Sequence, residues 1–287
     1  AKSGWVELWS LNAQNTYYNL LVQGFRSGQL NLKREVPPGL AQLADPYDPK
    51  ANSPYLSEDS PLLDLSYYRG KLHLYFGVTP ALVLFWPYAA LTGHYLLHRD
   101  AVLIFCTAGF LASAGLLWGV WRRYFAEVGV GVVAAGTLAL GLATCTLQLL
   151  ARSDVHEVAI SCGYAFTMVT LALIWGALHD LRRRGVWLAG ASLTYGLAVG
   201  ARPSLLFGAV ILLVPVAMVW RERAKPGQGA QLWTLLLAAT GPILLIGLGL
   251  MLYNYLRFDD PFDFGWRRQM GAFRQDVGGA FSLNYLW

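Results

Sequence analysis

Long apolar runs alternate with short polar segments along the chain, and this pattern predicts a set of membrane-spanning helices. An α-helix needs about 20 apolar residues to cross the roughly 30 Å hydrocarbon core of a bilayer. Five runs reach or approach that length, and a sixth is shorter. We therefore expect spans near 101–121, 129–150, 158–178, 187–200, 204–220 and 231–255.

The loops between these spans differ in charge, which predicts their sidedness. Basic residues cluster at 122–123, 182–184 and 221–225, and basic loops of membrane proteins face the cytoplasm. For the last two loops to share one side, the run 187–220 must cross twice, as a helical hairpin. Arg202, the only charged residue within that run, then lies at the tip of the hairpin, near the outer face of the membrane.

The apolar run 76–91 allows two interpretations. If it spans the membrane, residues 1–75 are cytoplasmic; if it lies along the outer interface, they are external. Pro87 in the middle of the run and several flanking aromatic residues favour the interfacial alternative. We therefore expect an external segment over 1–100 with amphipathic surface helices, one of them around 16–27. The transmembrane bundle would follow over 101–256, and a second external loop over 257–287. Both termini suggest a fragment of a longer chain.

Composition supports an integral membrane protein. Hydrophobic residues make up 55% of the chain and charged residues 14%, whereas soluble domains carry roughly 25% charged residues. The net charge of +5 reflects the basic loops, so we expect a lipid bilayer as partner and no nucleic acid. Three cysteines, Cys106, Cys145 and Cys162, lie in apolar segments and suit packing rather than disulfide or metal chemistry.

Polar residues concentrate on the predicted external side. Asp64, Asp154 and Glu157 are candidate catalytic carboxylates, because a carboxylate beside cationic side chains can act as a general base or hold a divalent cation. A divalent cation is thus a candidate cofactor, although no residue is assigned as a metal ligand. The competing structural interpretation makes Asp154 a helix N-cap with Glu157 in the first turn. The competing structural interpretation of Arg202 is that its side chain extends to the lipid headgroups and binds no substrate.

Several segments together resemble the GT-C superfamily, the multi-spanning glycosyltransferases that use polyprenyl-phosphate sugars, among them protein O-mannosyltransferases and lipid A aminoarabinose transferases. They occur in the family's order and cover most of the chain. The segments are "YYNLLVQGFRSGQLNL" (17–32), "YYRGKLHLYFGVTPALVLFWPYAALTG" (67–93), "EVAISCGYAFTMVTLAL" (157–173), "GLAVGARPSLLFGAV" (196–210) and "YNYLRFDDPFDFG" (253–265).

The resemblance implies an all-α, polytopic bundle of GT-C type with a large external loop. It also implies transfer of a sugar from a polyprenyl-phosphate lipid donor to an acceptor, at the periplasmic face of a bacterial inner membrane. Arg202 would hold the phosphate with help from Lys71 or Arg257, and Tyr68 would contribute to substrate binding. Asp64 or Asp154 would deprotonate the acceptor.

One departure keeps other functions open. The family places an acidic residue shortly before the Tyr-rich amphipathic helix, where this chain has Gln14, Asn15 and Thr16. An amide cannot abstract a proton at ordinary pH, so either Glu7 or Asp64 supplies the base instead, or the protein is a catalytically altered relative. The alternatives are a non-catalytic subunit with a glycosyltransferase-like fold, which would work with partner membrane subunits, and a transporter or flippase of a lipid-linked polar molecule.

Overall fold

The protein is described by a computed structural model covering residues 13–56, 62–143, 146–221, 229–271 and 274. This described part is mostly helical, with 73% helix and 4% strand. The longer helices are α1 (Tyr17–Arg26), α2 (Trp86–Thr92), α3 (His98–Tyr124), α4 (Val130–Ala143), α5 (Thr146–Arg152), α6 (Val155–His179), α7 (Arg184–Ala201), α8 (Val214–Arg221) and α9 (Gly229–Phe258).

Five helical stretches in the described ranges are long and apolar enough to cross a membrane, which confirms the prediction of a helical membrane protein. They agree with five of the six predicted spans to within a few residues. The sixth, α7, is 18 residues long and less apolar, as its shorter run predicts. The five stretches are His98–Tyr124, Val130–Arg152, Val155–His179, Pro203–Arg221 and Leu232–Phe258.

The predicted hairpin over 187–220 is present, and Pro203 determines where it turns. Proline disfavours the helical conformation of the preceding residue, and Arg202 is accordingly extended, with φ −140° and ψ 100°. Helix α7 therefore ends at Ala201. The chain continues as a 3₁₀ helix over Pro203–Leu213, which packs back against α7 before α8 begins.

Residues before α3 form a separate layer that includes α1, as predicted, and an antiparallel hairpin that was not predicted. Strands β1 (Leu65–Tyr68) and β2 (Lys71–Leu74) are joined by two residues, Arg69 and Gly70. Both have positive φ, 48° and 74°, as a tight hairpin turn requires. The fold is therefore not purely α-helical.

The run expected at the membrane interface forms one short apolar helix over Ala81–Thr92. It starts as a π-helical turn at Ala81–Phe85 and continues as α2 beyond Pro87, whose missing N–H interrupts the regular hydrogen-bond ladder. At 1.5 Å per residue it is about 18 Å long, too short to cross a bilayer. Its length favours the interfacial alternative.

Helix α6 organises the bundle, because it packs against both α3 and α7, and α7 packs against α9. One apolar core joins the layer before α3 to the first half of α6, and a second joins the other half of α6 to α7, α8 and α9. Cys106 and Cys162 are buried and help to fill the first core. Cys145 lies outside the described residues.

The two ends of the bundle differ. The Tyr124 hydroxyl contacts the His179 ring at 3.0 Å and Arg184 Nε donates to Ala177 O, which places the arginine-rich turns after α3 and α6 at one end. Helix α6 has 25 residues and is about 37 Å long. Its opposite end begins beside Arg202, at the other end of α7.

Candidate functional site

A cleft of about 1010 Å³ opens at the end of the bundle that carries Arg202. Its walls come from the segment after β2, the α5–α6 junction, the turn after α7 and the loop after α9. The described wall residues include five aromatic side chains, three arginines and three carboxylates. They are Tyr75, Phe76, Phe262, Phe264 and Trp266; Arg152, Arg202 and Arg267; and Glu157, Asp260 and Asp263.

Arg202 is a half-buried cation in this wall. Its aliphatic stem lies against α6 at Gly163, where an added Cβ would be 3.4 Å from Arg202 Cγ. In the part of the chain that the structure describes, no carboxylate pairs with its guanidinium within 4.0 Å. An always-charged, forked donor that borders an open cleft can bind a phosphate through two hydrogen bonds.

The other charges of the wall are already engaged in the protein or exposed to solvent. Arg152 Nε is 3.3 Å from Glu157 Oε1, and Asp263 accepts a 2.7 Å charge-assisted hydrogen bond from Arg268 Nε. Asp260 is exposed and accepts from the backbone N–H of Phe262. Much of the negative charge in the wall is thus neutralised within the protein.

Asp154 and Glu157 form the N-terminal cap of α6, as the structural interpretation predicts. Asp154 Oδ1 accepts from Val155 N at 2.7 Å, and Glu157 Oε2 accepts from Asp154 N at 3.2 Å. Glu157 is buried, and its second oxygen faces Arg152. This reciprocal capping box accounts for both carboxylates structurally, although Glu157 also borders the cleft.

Asp64 lies one layer behind the wall. It has a positive φ of 63°, and its carboxylate accepts a 2.6 Å hydrogen bond from Gln269 Nε2 through Oδ1. Oδ2 is 3.8 Å from Nε2 of His156, which lines the cleft. Burial raises the pKa of Asp64, while His156 and the Gln269 hydrogen bond act in the opposite direction.

The residues predicted to assist Arg202 make other contacts in the structure; they are Lys71, Tyr68 and Arg257. Lys71 is exposed at the start of β2, and Tyr68 donates to Asp259 Oδ2 at 2.8 Å. All three lie outside the described wall of the cleft.

The side chain of Arg257 makes its contacts within the protein. Its guanidinium donates to Leu74 O and Asn254 Oδ1, both at 2.8 Å, and lies 3.9 Å from the centre of the Tyr253 ring. The side chain is buried. It joins the end of α9 to the end of β2 through two of its nitrogens, while its Nε is buried without a hydrogen-bond partner in the described structure.

The loop after α9 supplies the part of the site that sequence reasoning missed. Ser66 Oγ donates to Gly265 O at 2.7 Å, Met270 N donates to Leu65 O at 2.9 Å, and Ser66 bridges to Gln269. The loop is thereby fixed along β1, and it carries Phe264, Trp266 and Arg267 into the cleft wall. These pairings join residues about 200 positions apart, so no local sequence signal reports them.

The described residues contain no group of three or more histidine, cysteine or acidic side chains that could hold a metal ion. Comparison of the chain with protein-family models, with curated proteins and with solved structures found no match.

Proposed function

We propose that the chain is a membrane glycosyltransferase of GT-C type, which binds a polyprenyl-phosphate sugar in the cleft and transfers the sugar to an acceptor. The observation that carries the proposal is the guanidinium of Arg202, a cation without a carboxylate partner in the described chain, in a cleft of about 1010 Å³. An anionic ligand would neutralise it.

The surroundings of Arg202 support an amphipathic ligand. Aromatic side chains such as Phe264 and Trp266 offer apolar surface, while Arg202 and Arg267 offer charge. Stretches apolar enough to span a membrane start on both sides of the cleft, at Val155 and at Pro203, so a lipid chain could leave it directly into the hydrocarbon region. A phosphate on a long isoprenoid combines these two properties.

The position of the cleft also fits the proposed sidedness. It lies at the end of α6 opposite the arginine-rich turns, so if those turns are cytoplasmic, the cleft opens at the periplasmic face of a bacterial inner membrane. In the reaction, Arg202 would stabilise the negative charge that develops on the departing lipid phosphate.

The binding test compares Arg202→Ala with the wild type in lipid nanodiscs. Loss of a charge-assisted contact costs about 1.5–3 kcal/mol, so affinity for a polyprenyl phosphate should fall roughly tenfold to a hundredfold. Arg202→Lys should recover part of it, because lysine cannot make the forked contact. Arg123→Ala, an exposed arginine at the opposite end of the bundle, is the matched control. Equal affinity of Arg202→Ala and the control would refute the proposal, and the corresponding polyprenol without phosphate should not compete.

A second candidate is a non-catalytic subunit that binds the lipid but transfers nothing. It is favoured by residues 14–16, where the resemblance expects an acid. Gln14 and Asn15 belong to a 3₁₀ turn that begins at Ala13, and Thr16 is the N-cap of α1; Asn19 Nδ2 donates to Ala13 O and Thr16 Oγ1 at 2.8 Å each. Glu7 lies outside the described residues. Release of polyprenyl phosphate from a polyprenyl-phosphate sugar by the purified wild type separates the two candidates. Binding without release would favour the subunit.

A further inference from the structure

We infer that His156 is the group that accepts the proton of the acceptor hydroxyl in the cleft, and that Asp64 is the positioning residue that orients its ring. The inference rests on the proposed glycosyl transfer and assigns its proton acceptor. It differs from the expectation that a carboxylate of the cleft performs this step directly.

The two residues differ in their position relative to the cleft. His156 lines the cleft, whereas Asp64 is absent from its described wall and faces His156 from behind it. The side chains are 29% and 28% exposed, so neither is fully solvated. An acceptor hydroxyl bound in the cleft therefore meets the imidazole ring before it can reach the carboxylate.

The imidazole is held from several sides. Its Nε2 faces Asp64 Oδ2 at 3.8 Å and the Tyr75 hydroxyl at 3.5 Å, and its ring contacts the Phe76 ring edge-on at 4.5 Å between centroids. The two distances from Nε2 are longer than those of a strong hydrogen bond. Catalytic contacts are commonly long in the absence of substrate and shorten when it binds. Nδ1 makes no hydrogen bond within the described chain and is left to accept a proton.

Asp64 is itself fixed. Gln269 Nε2 holds Oδ1 at 2.6 Å, and Oδ2 faces His156 in the first turn of α6. A carboxylate that faces one ring nitrogen holds the proton there, leaves the other nitrogen basic and stabilises the imidazolium that forms. The other charged and titratable groups around the pair are Tyr17, Tyr75, Arg152, Asp154, Glu157 and Arg202.

The step balances as follows. The acceptor oxygen forms a bond to the anomeric carbon, the bond from that carbon to the phosphate oxygen breaks, and the electron pair leaves with the lipid phosphate beside Arg202. The hydroxyl proton passes to Nδ1 of His156, which becomes an imidazolium paired with the Asp64 carboxylate. Release of this proton to water restores the site.

The first experiment does not depend on turnover. The ¹⁵N chemical shifts of the ring show which nitrogen of His156 carries the proton, with the signal assigned through His156→Gln. We expect the Nε2–H form in the wild type and a mixture of forms in Asp64→Asn. Asp259→Asn is the matched control, because Asp259 is also an aspartate with positive φ, at 59°, but pairs with Arg69. An unchanged tautomer in Asp64→Asn would overturn the inference.

The second experiment measures turnover and lipid binding together. His156→Ala should lower kcat at least about a hundredfold, the usual worth of a general base, while the affinity for polyprenyl phosphate stays unchanged. Added imidazole should restore part of the rate to His156→Ala but none to Arg202→Ala, which a merely structural role for His156 would not produce. Wild-type turnover in His156→Ala would overturn this inference and leave the proposed function standing. A wild type that neither binds nor turns over the lipid would overturn both.

Discussion

Gln269 donates a 2.6 Å hydrogen bond to Asp64 across 205 residues of sequence. It thereby connects the loop after α9, which lines the cleft, with the turn before β1, which lies behind the cleft wall. Because Asp64 in turn faces His156, the first residues of α6 belong to the same connected group. The side chains in and directly behind this part of the cleft wall thus come from three distant parts of the chain.

The first prediction concerns Asp64 and pH. Burial raises the pKa of Asp64 above its ordinary value of 3.8, so the folded protein binds this proton more tightly than the unfolded chain. The contribution of Asp64 to the free energy of unfolding is therefore fully present below pH 3.8 and is lost as the pH rises through the folded-state pKa. Gln269→Ala removes a hydrogen bond that favours the charged form, so the loss should extend to higher pH.

Thermal unfolding in detergent, followed between pH 3.5 and about pH 7, tests this. At neutral pH we expect Gln269→Ala to be less stable than the wild type by about 1–2 kcal/mol, since the hydrogen bond is to a charged group. Asp64→Asn should flatten the pH dependence. Gln42→Ala, at an exposed glutamine of the same layer, is the control. Superimposable pH profiles of Gln269→Ala and the wild type would contradict the prediction.

The second prediction concerns Gly77. A Cβ built at this position would collide with the carbonyl oxygens of Gly200 and Ala201, which belong to the backbone at the end of α7 and cannot turn aside. Gly77→Ala should therefore lower the free energy of unfolding by about 1–3 kcal/mol. Because the displaced backbone directly precedes Arg202, it should also weaken polyprenyl-phosphate binding.

A matched control is Gly115→Ala in α3. Apart from the adjoining backbone of α3 itself, no atom of the described residues lies within 4 Å of a Cβ built at Gly115, so the variant should gain about 0.5–1 kcal/mol from helix propensity. Thermal unfolding compares both variants with the wild type. Equal melting temperatures of Gly77→Ala and the wild type would show that the end of α7 adapts without cost.

The third prediction separates Arg257 from Arg202. Arg257→Lys cannot keep both hydrogen bonds, to Leu74 O and to Asn254 Oδ1, and leaves buried acceptors without a donor. We expect a loss of about 1–3 kcal/mol in stability. The affinity of the remaining folded protein for polyprenyl phosphate should stay unchanged, measured in nanodiscs against the exposed control Arg123→Lys. If Arg257→Lys instead bound polyprenyl phosphate tenfold more weakly at wild-type stability, Arg257 would belong to the binding site.

The fourth prediction concerns sidedness. Single cysteines at positions 48 and 260, in a variant with the three native cysteines replaced, should react with a membrane-impermeant maleimide added to intact cells. Cysteines at 123 and 183 should react only after permeabilisation, because their loops carry the positive charge. Labelling of position 48 only from the cytoplasm would mean that the run 76–91 crosses the membrane.

Local features of the sequence predicted much of the fold, because the forces involved act between near neighbours. In a bilayer each helix satisfies its own backbone hydrogen bonds, so an apolar run of sufficient length is itself evidence for a helix. The break at Pro203 and the capping box of Asp154 and Glu157 likewise depend on residues at most three positions apart. The hairpin with its turn at Arg69 and Gly70 likewise depends on residues close together in the sequence, although it was not predicted.

Tertiary structure alone decided which side chains share the cleft. The sequence identified Arg202 as an anomalous cation, but the residues predicted to assist it, Lys71, Tyr68 and Arg257, lie outside the described wall of the cleft. His156 is positioned by α6, and Gln269 is positioned by the loop that pairs with β1. Contacts between residues 80 to 200 positions apart depend on how helices and strands pack in three dimensions, and the order of residues within any one element carries no record of that packing.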